Sequence, residues 1–348
     1  MWKVSDDIRK GMKNAAETIM AAESVYIFSH IVADGDALGS CAALCHALRM
    51  QGKEADILFE DEVPDHLRFL DQGYIIFADE NTELPVRDLC IALDCSSPSR
   101  FPKREKLFYH AGKKTVCIDH HISRGEMAEV SYIDSAASAT AEIVYELLLC
   151  MGIQPDKEIG EAVYTGIATD TGNFQYTNTT KKTHLIAAEL YDLGIDTKKI
   201  NVILYQSDRL QKLRLRNLIM NEMDLFCDGL ASIAYVTLDM YREADARVEE
   251  SDGINAVLRD IRGVEIGVFL REKHPEEVKV GLRSKKYIDV SEICAKFGGG
   301  GHKHAAGCTI HKTMEETIPL IREAVEAACR TADYDGGAEV TISVPEGE

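Results

Sequence analysis

Short apolar, strand-like runs alternate with helical segments along the first half of the chain, and this alternation most constrains the fold. A β-rich run covers Ser24–Ser29, and apolar spacing predicts a helix over Ala37–Met50 with Gly52 at its C-terminal cap. The other predicted strands are Ala55–Phe59, Asp88–Leu93 and Thr115–Ile118, and the other predicted helices are Ala139–Met151 and Lys157–Ala168. Strands that alternate with helices favour an α/β fold, a mostly parallel sheet with helices on both faces.

The second half predicts a helical connector and a smaller C-terminal α/β domain. Helical segments follow one another over residues 181–223 without a strand, and a local excess of Lys and Arg there fits either a connector or a solvated charged face. The later predicted strands are Leu230–Leu238, Gly263–Arg271 and Val278–Arg283, and the later helices are Ser251–Ile261 and Thr313–Cys329. The predicted organisation is a first domain at 1–180, a connector at 181–223, a second domain at 224–332 and an acidic tail at 333–348.

Composition limits what the chain can bind and where it works. The 348 residues carry a formal net charge of −19, which argues against holding long duplex nucleic acid by bulk charge but allows a short nucleotide held through metal ions. No apolar run approaches the roughly 20 residues of a membrane span, and the acidic N-terminal segment is not a signal peptide. Ten cysteines without a CxxC pair predict reduced thiols and a cytoplasmic location. A homodimer is left open.

Four groups of acidic and imidazole side chains follow predicted strands or a helix end. Alone, each carboxylate has an ordinary explanation as a turn or capping residue. In a parallel sheet, however, the carboxyl ends of the strands meet at one edge, so we expect three of the groups to converge there. The groups are His30 with Asp34 and Asp36, then Asp94, then Asp119 with His120 and His121, and finally Asp170.

These groups together predict a metal centre. Four carboxylates in one pocket, those of Asp34, Asp36, Asp94 and Asp170, would repel one another strongly unless cations lay among them, and His with carboxylate suits ions of the Mn or Zn class. Two divalent ions that share one bridging carboxylate would activate water and bind a phosphoryl oxygen, as in two-metal phosphoester hydrolysis. Since neighbouring side chains on an extended chain alternate, we expect one of His120 and His121 to face an ion and the other the substrate. Asp119 could accept a ring N–H.

A glycine-rich segment in the second half predicts an anion site. Gly298, Gly299, Gly300 and Gly301 are followed by His302 and Lys303. Consecutive glycines expose backbone N–H groups and permit close approach of a phosphate, although such a run also fits a flexible loop. Arg283, at the end of a predicted strand, could add a bidentate phosphate contact or remain a solvated strand-end arginine.

The motifs and their order resemble the DHH phosphoesterase family with its DHH-associated C-terminal domain. The matching residues are His30-xxx-Asp34-x-Asp36, Asp94, Asp119-His120-His121, Asp170 and the Gly298–His302 segment. Within that family, the compact size most resembles the bacterial bifunctional oligoribonuclease and PAP phosphatase branch, the nanoRNases.

The resemblance implies two ions, with manganese preferred. It implies one ion on His30, Asp34 and Asp94, and a second on Asp36, Asp94, His120 and Asp170, so that Asp94 bridges. It also implies that His121 lies near the substrate phosphate, that Asp119 orients the cluster, and that Arg283 and His302 bind substrate. Thr140 and Glu142 are weaker candidates for positions near the site.

The expected activity is hydrolysis of very short oligonucleotides (nanoRNA) to mononucleotides and of 3′-phosphoadenosine 5′-phosphate (PAP) to AMP. A stand-alone phosphodiesterase for cyclic di-AMP or the linear dinucleotide pApA would need the same metal site, so the sequence separates these substrates poorly. A nucleotide sensor without turnover is the non-enzymatic alternative, and the complete set of six expected ligands argues against it.

Overall fold

The chain divides into two compact units, with the boundary between Ser207 and Asp208. The computed structural model describes residues 4–121 and 127–331 of the chain. The predicted connector, 181–223, is shared between the units, because two of its helices belong to the first unit and one to the second. The predicted tail at 333–348 lies outside the described residues.

The first unit contains a parallel sheet with six strands in its described part, in the order β3-β2-β1-β4-β5-β6. Its strands are β1 (Ser24–Phe28), β2 (Glu54–Phe59), β3 (Ile75–Phe77), β4 (Arg87–Leu93), β5 (Gly112–Asp119) and β6 (Val130–Ile133). Its helices are α1 (Asp6–Ala21), α2 (Gly35–Met50), α3 (Glu105–His110), α4 (Thr140–Cys150), α5 (Lys157–Asp170), α6 (Lys181–Asp192) and α7 (Thr197–Tyr205). The α/β prediction is confirmed.

The order of strands places the site. Chain order runs outward from β1 in one direction through β2 and β3, and from β4 in the other direction through β5 and β6. The reversal lies between β1 and β4, which pair directly. In open parallel sheets, ligands bind outside the carboxyl ends of the strands at such a reversal. The polar residues that follow β1, β4 and β5 therefore lie around the expected crevice.

Both faces of this sheet are buried, which explains why its strands are continuously apolar. On one face, Ile27 and Ile91 pack in a core with residues of α1, α2, α4 and α5. On the other face, Phe28 lies edge-on to Phe108, with 5.3 Å between ring centroids. Where α2 crosses α5, a side chain at Gly39 would collide with the Ala162 carbonyl, so glycine permits the close approach that brings the two helices together.

The second unit contains a mixed sheet with six strands in its described residues, in the order β11-β12-β10-β9-β8-β7. The strands are β7 (Asp224–Phe226), β8 (Ala231–Val236), β9 (Ile266–His274), β10 (Glu277–Ser284), β11 (Gly300–His302) and β12 (Ala305–Ile310). The helices are α8 (Leu210–Asn221), α9 (Leu238–Ala244), α10 (Ile254–Asp260), α11 (Val290–Ala295) and α12 (Met314–Thr331).

Two expectations about the chain as a whole can be compared with the fold. The sequence predicts reduced thiols, and all ten cysteines are free thiols in the structure. Within residues 4–121 and 127–331, none of the helices combines the length and the apolar character that a membrane crossing requires.

Candidate metal centre

His30, two residues beyond β1, presents one ring nitrogen to two carboxylates. Its Nδ1 lies 2.8 Å from the Ile31 carbonyl oxygen. A carbonyl only accepts, so Nδ1 carries the proton and Nε2 presents its lone pair. Nε2 lies 3.3 Å from Asp94 Oδ2 and 3.9 Å from Asp34 Oδ1. The buried ring therefore points its unprotonated nitrogen at two anions.

The two carboxylates that flank Gly35 have different environments. Asp34 caps α2, and its Oδ1 accepts hydrogen bonds from the backbone N–H groups of Asp36 and Ala37. Asp36, 1% exposed, points to the start of α4, where the N–H of Thr140 donates to Oδ2 at 2.7 Å and that of Ala141 to Oδ1 at 2.8 Å. The capping explanation thus holds for Asp34, yet both carboxylates still adjoin the cluster.

Asp94 lies at the centre of the cluster and is 2% exposed. It follows β4 directly and has a φ of +56°, a left-handed conformation that is uncommon for residues other than glycine. Its Oδ2 faces His30, whereas its Oδ1 lies 3.6 Å from Nε2 of His120. Each carboxylate oxygen thus faces a different imidazole, which is the arrangement that a carboxylate between two cations needs.

His120 repeats the arrangement of His30 on the other side of Asp94. Its Nδ1 lies 3.3 Å from the Ala137 carbonyl oxygen, which leaves Nε2 as the unprotonated nitrogen. Nε2 is buried and has no hydrogen-bond partner in the described part of the chain. It lies 3.6 to 3.9 Å from oxygens of Asp36, Asp94 and Asp170. These distances are too long for hydrogen bonds and leave room for a cation between the donors.

Asp170 completes this second group from the end of α5. The side-chain amide of Asn178 donates to the Asp170 carbonyl at 3.1 Å, to its Oδ2 at 3.3 Å and to the Ser138 carbonyl at 3.0 Å. Asn178 thus links the end of α5 to the segment before α4. No motif marks Asn178 for this role, because one asparagine in a polar stretch resembles any turn residue.

Asp119 and His121 form a pair beside the cluster. Oδ1 of Asp119 accepts from the His121 backbone N–H at 3.0 Å and lies 2.8 Å from His121 Nδ1. Asp119 therefore orients His121. The rings of His120 and His121 are 4.5 Å apart, so the expected alternation to opposite sides is wrong, because β5 ends at Asp119 and both histidines lie beyond the strand. His121 is 45% exposed and is the more accessible of the two.

Charge crowding changes the proton affinity of the metal-free cluster. Burial, and then the charges of Asp94 and Asp170, raise the pKa of Asp36 well above its usual value. Burial raises the pKa of Asp170 to about 6. Burial lowers the pKa of His30, but the hydrogen bond that a protonated Nε2 makes to Asp94, the contact with the Ile31 carbonyl and the charges of Asp34 and Asp94 together outweigh this effect, so the net change is upward. The hydrogen bond with Asp119 raises the pKa of His121 to about 9. The cluster therefore attracts positive charge.

The donor set fits two divalent cations. One group of mutually close donor atoms comprises His30, Asp34 and Asp94, and another comprises Asp36, His120 and Asp170. Asp94 Oδ1 adjoins the second group as well, through its 3.6 Å approach to His120. In the neutral form, both imidazoles turn a lone pair toward carboxylates, so a cation in place of a proton would satisfy both sets of donors.

Stability of the metal-free protein is expected to fall as pH rises. Folding raises the pKa of four groups, Asp36, Asp170, His30 and His121. The stability that their protonated forms contribute is complete at pH values below the pKa of the unfolded chain, near 4 for Asp and 6.5 for His. It is lost as pH rises through the pKa of the folded protein, about 6 for Asp170 and about 9 for His121. Calorimetry in EDTA should give a melting temperature roughly 3–8 °C lower at pH 8 than at pH 5.5.

Two further measurements make this pH test specific to the cluster. Saturating Mn²⁺ should raise the melting temperature more at pH 8 than at pH 5.5, because ions bind deprotonated ligands. Asp170→Asn should flatten the pH dependence in EDTA. A metal-free wild-type protein that becomes more stable between pH 5.5 and 8 would contradict the predicted crowding.

In the second unit, strand pairing brings Arg283 and His302 onto one row of the sheet. Arg283 pairs with Gly267 on β9 and with Ala305 on β12, and Ala305 pairs with His302 on β11. Directly paired residues share a face, so the row places the cation of Arg283 and the imidazole of His302 about 10 Å apart, with Ala305 between them. Within residues 4–121 and 127–331, Arg283 forms no ion pair with a carboxylate. Its guanidinium Nη1 donates to the Leu282 carbonyl.

The glycine run is a tight paired segment, and so the flexible-loop alternative does not describe it. Gly300–His302 forms β11, which pairs with Ala305–Gly307 of β12. A side chain at Gly299 would collide with Cys308, and Gly301 adopts a φ of +147° against Ala305 and Ala306. Gly298 also has a positive φ, of 73°. Close packing against β12 therefore explains Gly299 and Gly301, whereas Gly300 faces open space.

The chain belongs to the DHH family, and it is a hydrolase of phosphoester bonds. Residues 24–167 match the DHH family, N-terminal domain, and residues 231–331 match the DHHA1 domain. The first match contains the candidate ligands from His30 to His120, and the second contains Arg283 and His302.

The names of similar proteins agree with this assignment. The chain is 33% identical to the bifunctional oligoribonuclease and PAP phosphatase NrnA of Thermus thermophilus, over 93% of this chain and 96% of that protein. It is 28% identical to the protein of the same name from Bacillus subtilis, over 90% of this chain and 97% of that protein. A solved exopolyphosphatase-related protein from Bacteroides fragilis has a TM-score of 0.87 and 27% identity, over 95% of this chain and 99% of that one.

Proposed function

We propose that this chain hydrolyses very short oligoribonucleotides to mononucleotides and PAP to AMP, in the cytoplasm, with two divalent ions of which Mn²⁺ is preferred. The observation that carries the proposal is the placement of Asp94, whose two carboxylate oxygens face two separate groups of donors. The names of the Thermus thermophilus and Bacillus subtilis relatives support the substrate class. The free thiols of all ten cysteines support the reducing compartment.

In this proposal, six side chains hold the ions. His30, Asp34 and Asp94 hold one, and Asp94, Asp36, His120 and Asp170 hold the other. When bound, such a pair of ions activates water and neutralises charge on the phosphoryl oxygens. The Nδ1–carbonyl contacts of both imidazoles support this assignment, because they leave Nε2 free to bind a cation.

His121 supplies a proton and a positive charge to the substrate. In the metal-free protein, the hydrogen bond with Asp119 raises the pKa of His121 to about 9 and so favours the protonated ring, and Asp119 fixes its orientation through two hydrogen bonds. With 45% of the side chain exposed, the ring can reach a phosphate oxygen that approaches from solvent. A protonated imidazole in this position stabilises developing charge and can donate to the leaving oxygen.

The row on the second unit binds the phosphate-bearing part of the substrate. Arg283 supplies a guanidinium without a carboxylate partner in the described structure, and His302 supplies a second donor on the same face. The residue between them, Ala305, is small and leaves the row low at that point, whereas α10 packs directly over Gly267 on the other side of Arg283. Backbone N–H groups at Gly298–Gly301 are the proposed further phosphate donors.

The test is a substrate and metal survey with purified, EDTA-dialysed protein. Mn²⁺ should restore activity better than Mg²⁺ or Zn²⁺, and di- to pentanucleotide RNA and PAP should both be hydrolysed. A strong preference for cyclic di-AMP over pApA and PAP would replace the proposed substrates with cyclic dinucleotides. Full activity in EDTA would overturn the metal site.

Arg283→Ala is expected to weaken substrate binding and spare the chemistry. We expect KM for PAP to rise about tenfold or more with kcat within about threefold, since a guanidinium that contacts a phosphate outside the metal cluster contributes mainly to binding. Lys279→Ala is the matched control, because Lys279 lies four residues earlier on the same face of β10 and is exposed. Metal content after dialysis should be unchanged, and loss of an ion in Arg283→Ala would contradict this placement.

A further inference from the structure

Thr140 contacts two of the carboxylates at once. It is the first residue of α4 and is completely buried. Its hydroxyl donates to Asp94 Oδ1 at 2.9 Å, and its backbone N–H donates to Asp36 Oδ2 at 2.7 Å. No other residue of the described structure donates hydrogen bonds to both of these side chains, and His120 approaches them only at 3.6 to 3.9 Å. The start of α4 therefore connects the central carboxylate to the second donor group.

The start of α4 is suited to hold anions. The first N–H groups of a helix lack partners within the helix, and the helix dipole adds positive character there. The capping position is Ala139, which offers no side-chain oxygen, and Asp36 from α2 satisfies the N–H groups of Thr140 and Ala141 instead. The helix thus fixes Asp36 through its backbone, whereas it reaches Asp94 only through the Thr140 hydroxyl.

The bond to Thr140 is the shortest polar contact of the Asp94 side chain in the described structure. The contacts with His30, His120 and His121 are 3.3, 3.6 and 3.5 Å. Although Asp94 adopts a left-handed conformation, its backbone N–H still donates to the Ile118 carbonyl of β5 at 3.1 Å, so the backbone is held and the direction of the carboxylate depends on its own contacts. A donor at 2.9 Å on Oδ1 holds the carboxylate plane so that Oδ2 points to His30 and the free lone pair of Oδ1 to His120.

A second set of hydrogen bonds holds the start of α4, and with it Thr140, in place. Glu142, fully buried on the first turn of α4, accepts hydrogen bonds at Oε2 from Ser138 at 2.7 Å and Thr183 at 3.0 Å. Its Oε1 lies 2.7 Å from Nζ of Lys182 on α6. This network ties the start of α4 to α6, so the Thr140 hydroxyl has little freedom to follow a displaced Asp94.

We infer that Thr140 is a positioning residue that fixes the orientation of Asp94 between the two ion positions and thereby sets the affinity for the ion on the His120 side. The inference rests on the proposed two-metal site. Hydrogen-bonding partners that orient a metal ligand contribute about 10- to 100-fold in metal affinity or activity. The hydroxyl, and not the bulk of the side chain, carries the effect.

The experiment compares two variants at this position. Thr140→Val keeps the shape and the backbone N–H that bonds to Asp36 but removes the hydroxyl, and Thr140→Ser keeps the hydroxyl. Calorimetric titration of Mn²⁺ into EDTA-stripped protein should show one of the two ions losing affinity about 10- to 100-fold in Thr140→Val, and about threefold or less in Thr140→Ser. KM for PAP at saturating Mn²⁺ should remain within about threefold in both variants.

A matched control separates positioning from general damage. Thr165→Val removes the hydroxyl of another fully buried threonine, which donates only to the Glu161 carbonyl within α5, and should leave both ion affinities unchanged. Wild-type affinity in Thr140→Val, or an equal loss in Thr165→Val, would overturn the role of Thr140 and leave the metal site intact. A wild-type protein that binds no ion would instead overturn the proposed site and this inference with it.

Discussion

Replacing Asp94 with alanine is expected to lower kcat about 10³-fold or more while the protein still folds. If Asp94 bridges two ions, its removal takes a ligand from both, and the several kcal/mol of transition-state stabilisation that two metals supply is lost. The carboxylate lies 3.3 Å from His30 and 3.6 Å from His120. The acid within β4, Asp88, lies at the opposite end of the strand and so cannot replace Asp94. Steady-state kinetics on PAP at saturating Mn²⁺ measures the loss.

Two further variants show that the loss comes from the carboxylate. Asp94→Asn keeps the size of the side chain and tolerates the left-handed backbone, so it should be as inactive as alanine and at least as stable as wild type in EDTA, because it relieves repulsion with Asp36 and Asp170. Asp88→Ala, at the opposite end of β4, should keep kcat and lose only stability, since Asp88 bonds to Ser24 and Lys113. A tenth of the wild-type rate in Asp94→Ala would contradict the bridging role.

The architecture of the first unit could be predicted because one kind of signal recurs. His30, Asp94 and Asp119 each end or follow an apolar run, and the runs are neighbours in a parallel sheet. Buried parallel strands are continuously apolar, so the first polar residue marks the edge of the sheet. Convergence of these residues follows from the fold class alone, without knowledge of side-chain geometry.

The residues that orient the candidate ligands could not be found in this way. Asn178 acts through hydrogen bonds to residues 8 and 40 positions away in sequence, and Thr140, only a weaker candidate from the resemblance, through bonds to residues 46 and 104 positions away. Neither residue belongs to a periodic pattern. Arg104 resembles a surface arginine in sequence, yet it is 1% exposed and donates to the Ser29 carbonyl beside His30 at 2.9 Å. Long-range contacts of this kind depend on how completed elements pack.

Packing between distant elements also decided two features of the second half. Leu215 and Ile219 of α8 are buried with Tyr241 and Leu258, so α8 belongs to the second unit, whereas local sequence described only a basic helix. The end of the glycine run, Gly300 and Gly301, forms β11 together with His302 because it pairs with β12. Four glycines carry no strand propensity, and only the register of β12 reveals the pairing.

A steep fall of kcat/KM with the length of single-stranded RNA is the second large effect expected. The chain carries a net charge of −19, so a long polyanion is repelled by the surface beyond the site, while a short strand presents few phosphates. The row of Arg283 and His302 offers contacts for one phosphate-bearing end rather than a track for many phosphates. We expect the decline to begin beyond about five nucleotides, since proteins that hold long strands neutralise several phosphates with Lys and Arg.

His302→Ala should flatten this preference. In the proposed function, the contact of His302 with the strand end distinguishes short substrates from long ones, because a long strand that is bound away from its end does not make this contact. The variant should therefore lose about tenfold in kcat/KM on dinucleotides and little on strands of 24 nucleotides. His311→Ala, an exposed histidine just beyond the end of β12, serves as the control and should change neither value. If wild type hydrolyses two- and 24-nucleotide RNAs with equal efficiency, the acidic surface does not select by length and the enzyme acts as a processive exonuclease.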